Sequence, residues 1–324
     1  FKKVLIHDLN ETAFADMYAQ TIAYGLLTAE ITNPKNNEGD RIGEIAVTNP
    51  FLKELLKSFL EPDEQYGASN SLNFDELEIS EIKELLDNSD MRAILRDFGA
   101  KNPEEDPVIQ FYELFLQEYD SEIKKTLGVF YTPRSVVRFI VRSVDELLQT
   151  EFNLKYGLAD TTTWGEMIEQ FDELEIPEGA THDQAFVQIL DPATGTGTFL
   201  IETIDLIYKT MKEKWQSEGC DRSKIDHLWN DYVPNHLLPR LHAYELMMAP
   251  YAIAHIQIGL KLYETGYSFK GDEMARIFFT NSLEPPEDFS GMFDFVSPDI
   301  AQEAEIVNSV KRDQRFTVII GNPP

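Results

Sequence analysis

From about Thr126 onward, short runs of strand-forming residues alternate with helical periodicities, and this alternation limits the possible folds more than any other feature. The runs are Phe186–Leu190, Arg240–Tyr244, Ala275–Phe279 and Phe316–Ile320. Apolar residues recur at helical spacing over 133–149, 198–214 and 246–262. Helices inserted between successive strands serve as crossovers, so the strands are expected to run parallel in one sheet. The stretch from Thr150 to Ala185 is polar and acidic and reads as an insertion with one short helix. Gly219 to Pro239 reads as irregular.

Residues 1–125 have a different character, and an all-α domain is expected there, ahead of an α/β domain over 126–324. Phe14, Met17, Tyr18, Ile22 and Leu26 share one helical face, which ends before Asn33-Pro34. Asn49-Pro50 reads as N-cap and first turn of a second helix. Ile82, Leu85, Leu86, Ile94 and Leu95 mark a third helical segment. A fourth begins at Asn102-Pro103, with Glu104, Glu105 and Asp106 in its first turn. These faces read as core packing and carry no catalytic cluster.

Bulk properties narrow the function. No run of about 18 apolar residues appears, so no membrane-spanning helix is expected. The N-terminus lacks the apolar core of a signal peptide, and a cytoplasmic location is expected. Because Phe1 is not an initiator Met, the chain reads as a piece of something longer. One cysteine, Cys220, excludes an internal disulfide and a cysteine-rich zinc site. The formal net charge of −29 is opposite to that of a duplex-binding surface, so any main grip on DNA is expected elsewhere in a parent protein. The six histidines are scattered, there is no P-loop, and no metal site is expected.

Three segments carry the chemistry. Asp191-Pro-Ala-Thr-Gly-Thr-Gly-Thr-Phe199 follows one strand and opens a helix. Gly195 and Gly197 allow a tight turn and close approach of a ligand, while the helix points free N–H groups at it. Leu200 stands where a dinucleotide fingerprint needs its third glycine, which excludes that pattern. Glu245 ends the next strand, where a carboxylate can grip a ribose diol. Thr132-Pro133 reads as cap and first residue of a helix, preceded by Phe130 and Tyr131. At the far end, Asn322-Pro323-Pro324 follows an apolar strand and offers an amide oxygen and a rigidly held carbonyl to an amino group. In a doubly wound sheet the first strand lies beside the fourth, so the glycine turn and Asn322 would meet at the carboxyl ends.

These residues resemble the N6-adenine DNA methyltransferases of the γ arrangement, in which Phe-Tyr-Thr-Pro (Phe130–Pro133) precedes the glycine turn and the Asn-Pro-Pro motif comes later. The helical lead-in around Phe14–Leu26, with Tyr244-Glu-Leu-Met-Met-Ala-Pro-Tyr-Ala252, is similar to large single-chain restriction–modification proteins. In those, helicase or nuclease modules are joined to the methylase through a helical coupler. The resemblance implies a Rossmann-like core that uses S-adenosylmethionine, incomplete at its C-terminus. It implies that Phe130, Tyr131 and Thr132 surround the methionine end of the cofactor and that Asp191, Ala193, Gly195 and Gly197 form the loop beneath it. Glu245 would hold the ribose, and Asn281, with Leu283 nearby, would sit at the cofactor adenine. Asn322, Pro323 and Pro324 would be catalytic, followed by an aromatic residue that would be residue 325. The partner would be DNA, bound largely through other parts of a bacterial or archaeal parent.

Two alternatives stay open. Asn-Pro-Pro-aromatic also serves methyltransferases that act on RNA or on protein glutamine. The segment taken alone could instead be a cofactor-binding and coupling module without activity.

Overall fold

A computed structural model of the chain describes residues 10–31, 81–82, 84–85, 88–89, 132–267, 273–286 and 298–323. The expected helices after Asn49 and Asn102 lie outside these residues, as do Phe130, Tyr131 and Pro324; of the third, 81–82 and 84–85 are helical. The elements are α1 (Glu11–Ile31), α2 (Arg134–Thr150), α3 (Trp164–Gln170), β1 (Ile189–Asp191), α4 (Thr198–Ser217), α5 (Arg222–Tyr232), β2 (Leu241–Glu245), α6 (Met248–Glu264), β3 (Arg276–Phe279), α7 (Pro298–Asp313) and β4 (Val318–Ile319).

The four strands form one parallel sheet in the order β3-β2-β1-β4. Each observed strand overlaps an expected run, and α2, α4 and α6 match the helical periodicities within three residues at either end. Register assigns the faces. Ile189 pairs with Leu241 and Val318, and these residues join the main core with Ala243, Ile277 and Phe279. α2, α4 and α6 contribute Val141, Ile204 and Ile258 to that core. Leu190, Tyr244 and Phe278 point the other way and pack against Val307 of α7. The sheet therefore lies between two helical layers, as apolar residues on both faces of its strands require.

One expectation needs correction and another is extended. Gly219–Pro239 is not irregular. Asp221 caps α5 by accepting from the Lys224 N–H at 2.8 Å. The helix then widens into a π-turn over Val233–Leu237 and a 3-10 turn over Leu238–Arg240. Pro234 and Pro239, which lack the N–H a continuing α-helix needs, fall in these turns. The 150–185 stretch does contain one short α-helix, α3, fixed by a capping box in which Thr163 and Glu166 exchange bonds. It also contributes to the interior. Leu154, Leu158, Trp164 and Met167 are buried in the main core. The buried Arg240 guanidinium donates to the Asp160 carbonyl and to the Tyr232 hydroxyl, and that hydroxyl donates to the Ala159 carbonyl.

α1 packs along α6, and Met17 reaches the main core. Among the described residues no helix is long and apolar enough to cross a membrane.

Candidate active site

The carboxyl ends of β1, β2 and β4 lie side by side, and the polar groups gather there. β1 pairs with β4 through Ile189–Val318 and Leu190–Ile319, and the Ile320 N–H donates to the Leu190 carbonyl at 2.9 Å. This carries the chain into Gly321 and Asn322 directly beside the turn that leaves β1. The contact is close: a Cβ on Gly321 would sit 2.6 Å from Asp191 Oδ1 and 3.4 Å from Pro192 Cδ. Only glycine lets the two segments approach this far. The glycine turn and the Asn-Pro-Pro segment therefore share one rim of the sheet, as the expected strand order requires.

The turn itself depends on left-handed backbone. Gly195 has φ +56° and Gly197 φ +87°, values that side-chain-bearing residues rarely adopt. Gly197 is also the N-cap of α4, and no side chain caps the helix, so its first N–H groups point to the rim unshielded. A Cβ on Gly195 would meet nothing within 4 Å, whereas one on Gly197 would press on Ala254 of α6 at 3.4 Å. Gly197 thus answers to packing, while Gly195 borders open space.

Two carboxyls stand under this turn. Asp191 is fully buried; its Oδ1 accepts from the Ala193 N–H at 3.2 Å, and its Oδ2 has no hydrogen-bond partner. The neighbouring Thr194 hydroxyl is buried beside it and, with the Ala193 N–H, opposes the rise in the Asp191 pKa. Glu245 is buried too; its Oε2 accepts from Gly195 N–H at 2.8 Å and its Oε1 from Met247 N–H at 2.7 Å. Loss of hydration pushes Asp191 up to about 7, with the nearby Glu245 charge adding to the shift. Burial likewise pushes Glu245 up to about 7, against the lowering effect of its backbone donors. Each Glu245 oxygen keeps a second lone-pair direction after its backbone bond, so the group can still accept hydroxyl donors.

Beyond β3, Asn281 starts a tight turn in which its Oδ1 accepts from the Leu283 N–H at 3.0 Å. Lys311 of α7 fastens this turn, donating to the Asn281 carbonyl at 2.7 Å and the Glu284 carbonyl at 3.0 Å. Leu283 is 91% exposed, an apolar side chain presented to whatever lies over the turn. On the opposite side, Thr132 does not cap α2 as expected. Pro133 is the N-cap and makes no side-chain bond. Thr132 Oγ1 instead accepts from Asn322 Nδ2 at 3.2 Å, across 190 residues of sequence.

Of the residues singled out from sequence, direct contacts link Thr132 to Asn322, Asn322 through its neighbour Gly321 to Asp191, and Asp191 to Ala193, while Gly195, in the same turn, is bonded to Glu245. Asn281 and Leu283 follow β3, the strand beside the one that carries Glu245. Pro323 is exposed at the rim beside Asn322. Thr194, Gly321 and Lys311 were missed. Gly321 carried a signal, being the residue just before Asn322, but Lys311 looks like any helix-surface lysine. Among the described residues no group of three or more His, Cys, Asp or Glu side chains could hold a metal ion.

Residues 104–155, which include Thr132 and α2, match the family described as N-6 DNA Methylase. No curated protein sequence matches the chain. Among the solved structures similar to it, three align to 100% of the chain. They are the DrdV–DNA complex (24% identity, TM-score 0.58), a nuclease-deletion mutant of the Type ISP restriction-modification enzyme LlaGI in complex with a DNA substrate mimic (21%, 0.53), and the ATP-dependent Type ISP restriction-modification enzyme LlaBIII bound to DNA (22%, 0.60). The chain spans 25%, 21% and 18% of those chains respectively. The family match supports the resemblance to N6-adenine DNA methyltransferases, and the structures show a shared fold.

Proposed function

We propose that this chain forms the cofactor-binding part, and the start of the catalytic part, of a DNA methyltransferase that modifies adenine N6 in a restriction–modification system. The observation that carries this reading is the contact between the glycine turn and the Asn322 segment, made through Gly321 and Asp191. One side of the rim offers free helix N–H groups, open space at Gly195 and a diol-ready carboxylate; the other offers paired acceptors for an amine.

The residues present fit S-adenosylmethionine. Glu245 would take the ribose hydroxyls, the 193–197 turn would lie beneath the cofactor, and Asn281 and Leu283 would meet its adenine. Phe130, Tyr131 and Thr132 are assigned to its methionine end. When bound, the cofactor supplies an electrophilic methyl group on a sulfonium. The chain's own contribution is electrostatic. The adenine amino group is a poor nucleophile because its lone pair is delocalised into the ring. Asn322 Oδ1 and the Pro323 carbonyl would accept its two N–H groups, draw the nitrogen toward pyramidal geometry and stabilise the positive charge that develops there. No strong base is required, because a methylated ammonium sheds its proton readily. The target base has to leave the helix first, at a cost of a few kcal/mol.

Residues 1–125 are assigned to a helical coupler and 126–324 to the methyltransferase domain, with α1 against α6 as the coupler's seat. The grip on DNA, and any helicase or nuclease modules, would lie in other parts of a cytoplasmic bacterial or archaeal protein. The test is methyl transfer by the full-length protein from labelled S-adenosylmethionine, with DNA, RNA and protein acceptors in parallel. Label recovered as N6-methyladenine in DNA is expected. Label confined to RNA or protein would overturn the assignment.

A further inference from the structure

We propose that Thr132 is a positioning residue for Asn322, holding the amide so that Oδ1 rather than Nδ2 faces the amino group to be methylated. The inference rests on the function proposed above and adds a role for Thr132 beyond the cofactor pocket.

The argument starts from what already fixes the Asn322 backbone. The Ile320 N–H is bonded to the Leu190 carbonyl at 2.9 Å, and Gly321 is seated on Asp191 with no room for a Cβ. The side chain is another matter. The terminal torsion of an asparagine is broad and roughly twofold, so its oxygen and nitrogen edges can exchange places at little cost. Asn322 is exposed, and packing alone does not settle which edge faces outward. In the structure the Nδ2 edge is turned to Thr132 and donates to its Oγ1 at 3.2 Å.

Thr132 is free for this task. A threonine just ahead of a helix ordinarily turns its hydroxyl back to cap it. Here Pro133 has taken the N-cap place, and no side chain caps α2. The hydroxyl is turned across the rim instead. A hydroxyl can accept as readily as donate, so the choice of amide edge is completed by the substrate. An exocyclic amine presents two N–H donors, and an outward Asn322 NH2 would set donor against donor. With Oδ1 outward, the amine N–H, the Asn322 amide and the Thr132 hydroxyl are all paired. With Nδ2 outward, the amine loses an acceptor.

The test compares Thr132→Val, which keeps the shape and loses the hydroxyl, with Thr132→Ser, which keeps the hydroxyl and loses the methyl, in the full-length protein. Methyl transfer to DNA gives kcat and the DNA KM, and calorimetry gives S-adenosylmethionine affinity. Thr132→Val is expected to lower kcat on the order of tenfold at saturating S-adenosylmethionine with DNA KM unchanged, and Thr132→Ser to retain wild-type kcat. An unchanged kcat in Thr132→Val overturns the proposal. So does a loss confined to cofactor affinity, which would leave Thr132 a cofactor ligand only, or an equal kcat loss in Thr132→Ser. Thermal unfolding checks that the variants fold, and Thr132→Ala replaces the valine variant if it does not. Wild-type protein that methylates no DNA amino group overturns the proposed function and this inference together. Wild-type activity with an unaffected valine variant overturns this inference alone.

Discussion

Asp191 and Glu245 are acids in a place where acids ionise reluctantly. Burial pushes both up to about 7, so near neutral pH a protonated fraction competes with the carboxylate that a ribose diol would need at Glu245. S-adenosylmethionine binding should therefore strengthen between pH 6 and pH 8, as read by calorimetry. Glu245→Gln should weaken binding by about tenfold at pH 8 and flatten the pH dependence. Asn322→Ala should behave differently. It should leave cofactor affinity intact and lower the rate of methyl transfer on the order of 100-fold, the loss of one preorganised acceptor. The identity of Glu245 was readable as an acid ending a strand after a glycine turn. That each of its oxygens also holds a backbone N–H was not readable, because those donors come from Gly195, 50 residues away, and from the helix entry at Met247.

Among the elements, the turn from β1 into α4 yields a contrast between two glycines. Gly195→Ala and Gly197→Ala should each cost roughly 1–2 kcal/mol of stability, since both impose a left-handed φ on a side-chain-bearing residue. Only Gly195 faces open space, so Gly195→Ala should in addition weaken cofactor binding beyond what its stability loss explains. Denaturant unfolding and calorimetry on the same two variants separate the effects. Strands and crossover helices were legible because their period and length are local properties. Strand order was legible only through a general rule of parallel sheets, and the β1–β4 pairing obeys it. The burial of the 150–185 stretch was not legible for the opposite reason. Leu154 enters the core from irregular backbone, Leu158 from a 3-10 turn, and Trp164 and Met167 from the seven-residue α3, pieces too short for a period to announce which side chains turn inward.

For the whole molecule, charge and burial set the response to pH. Glu303 of α7 is buried near the Tyr251 hydroxyl at 3.4 Å, and its carboxyl is raised to about 7 by desolvation. A folded pKa above the unfolded one means that ionisation opposes folding. This stability is present below about pH 4.5 and is lost as pH rises through about 7. Asp191 and Glu245 act in the same direction. The thermal midpoint should accordingly fall between pH 5 and pH 8, and Glu303→Gln should make the fall shallower without altering cofactor affinity. The net charge of −29 also predicts that residues 1–324 alone bind no duplex DNA in a gel-shift assay at physiological salt. Long-range pairing adds a constraint of another kind. The Gln188 N–H donates to the Thr317 hydroxyl, 129 residues later. A nascent chain on the ribosome can assemble β1, β2 and β3 early, but it leaves Asp191 without its Gly321 cover until almost everything described here has been synthesised. The β1 turn and the Asn322 segment therefore come together late in the synthesis of this chain.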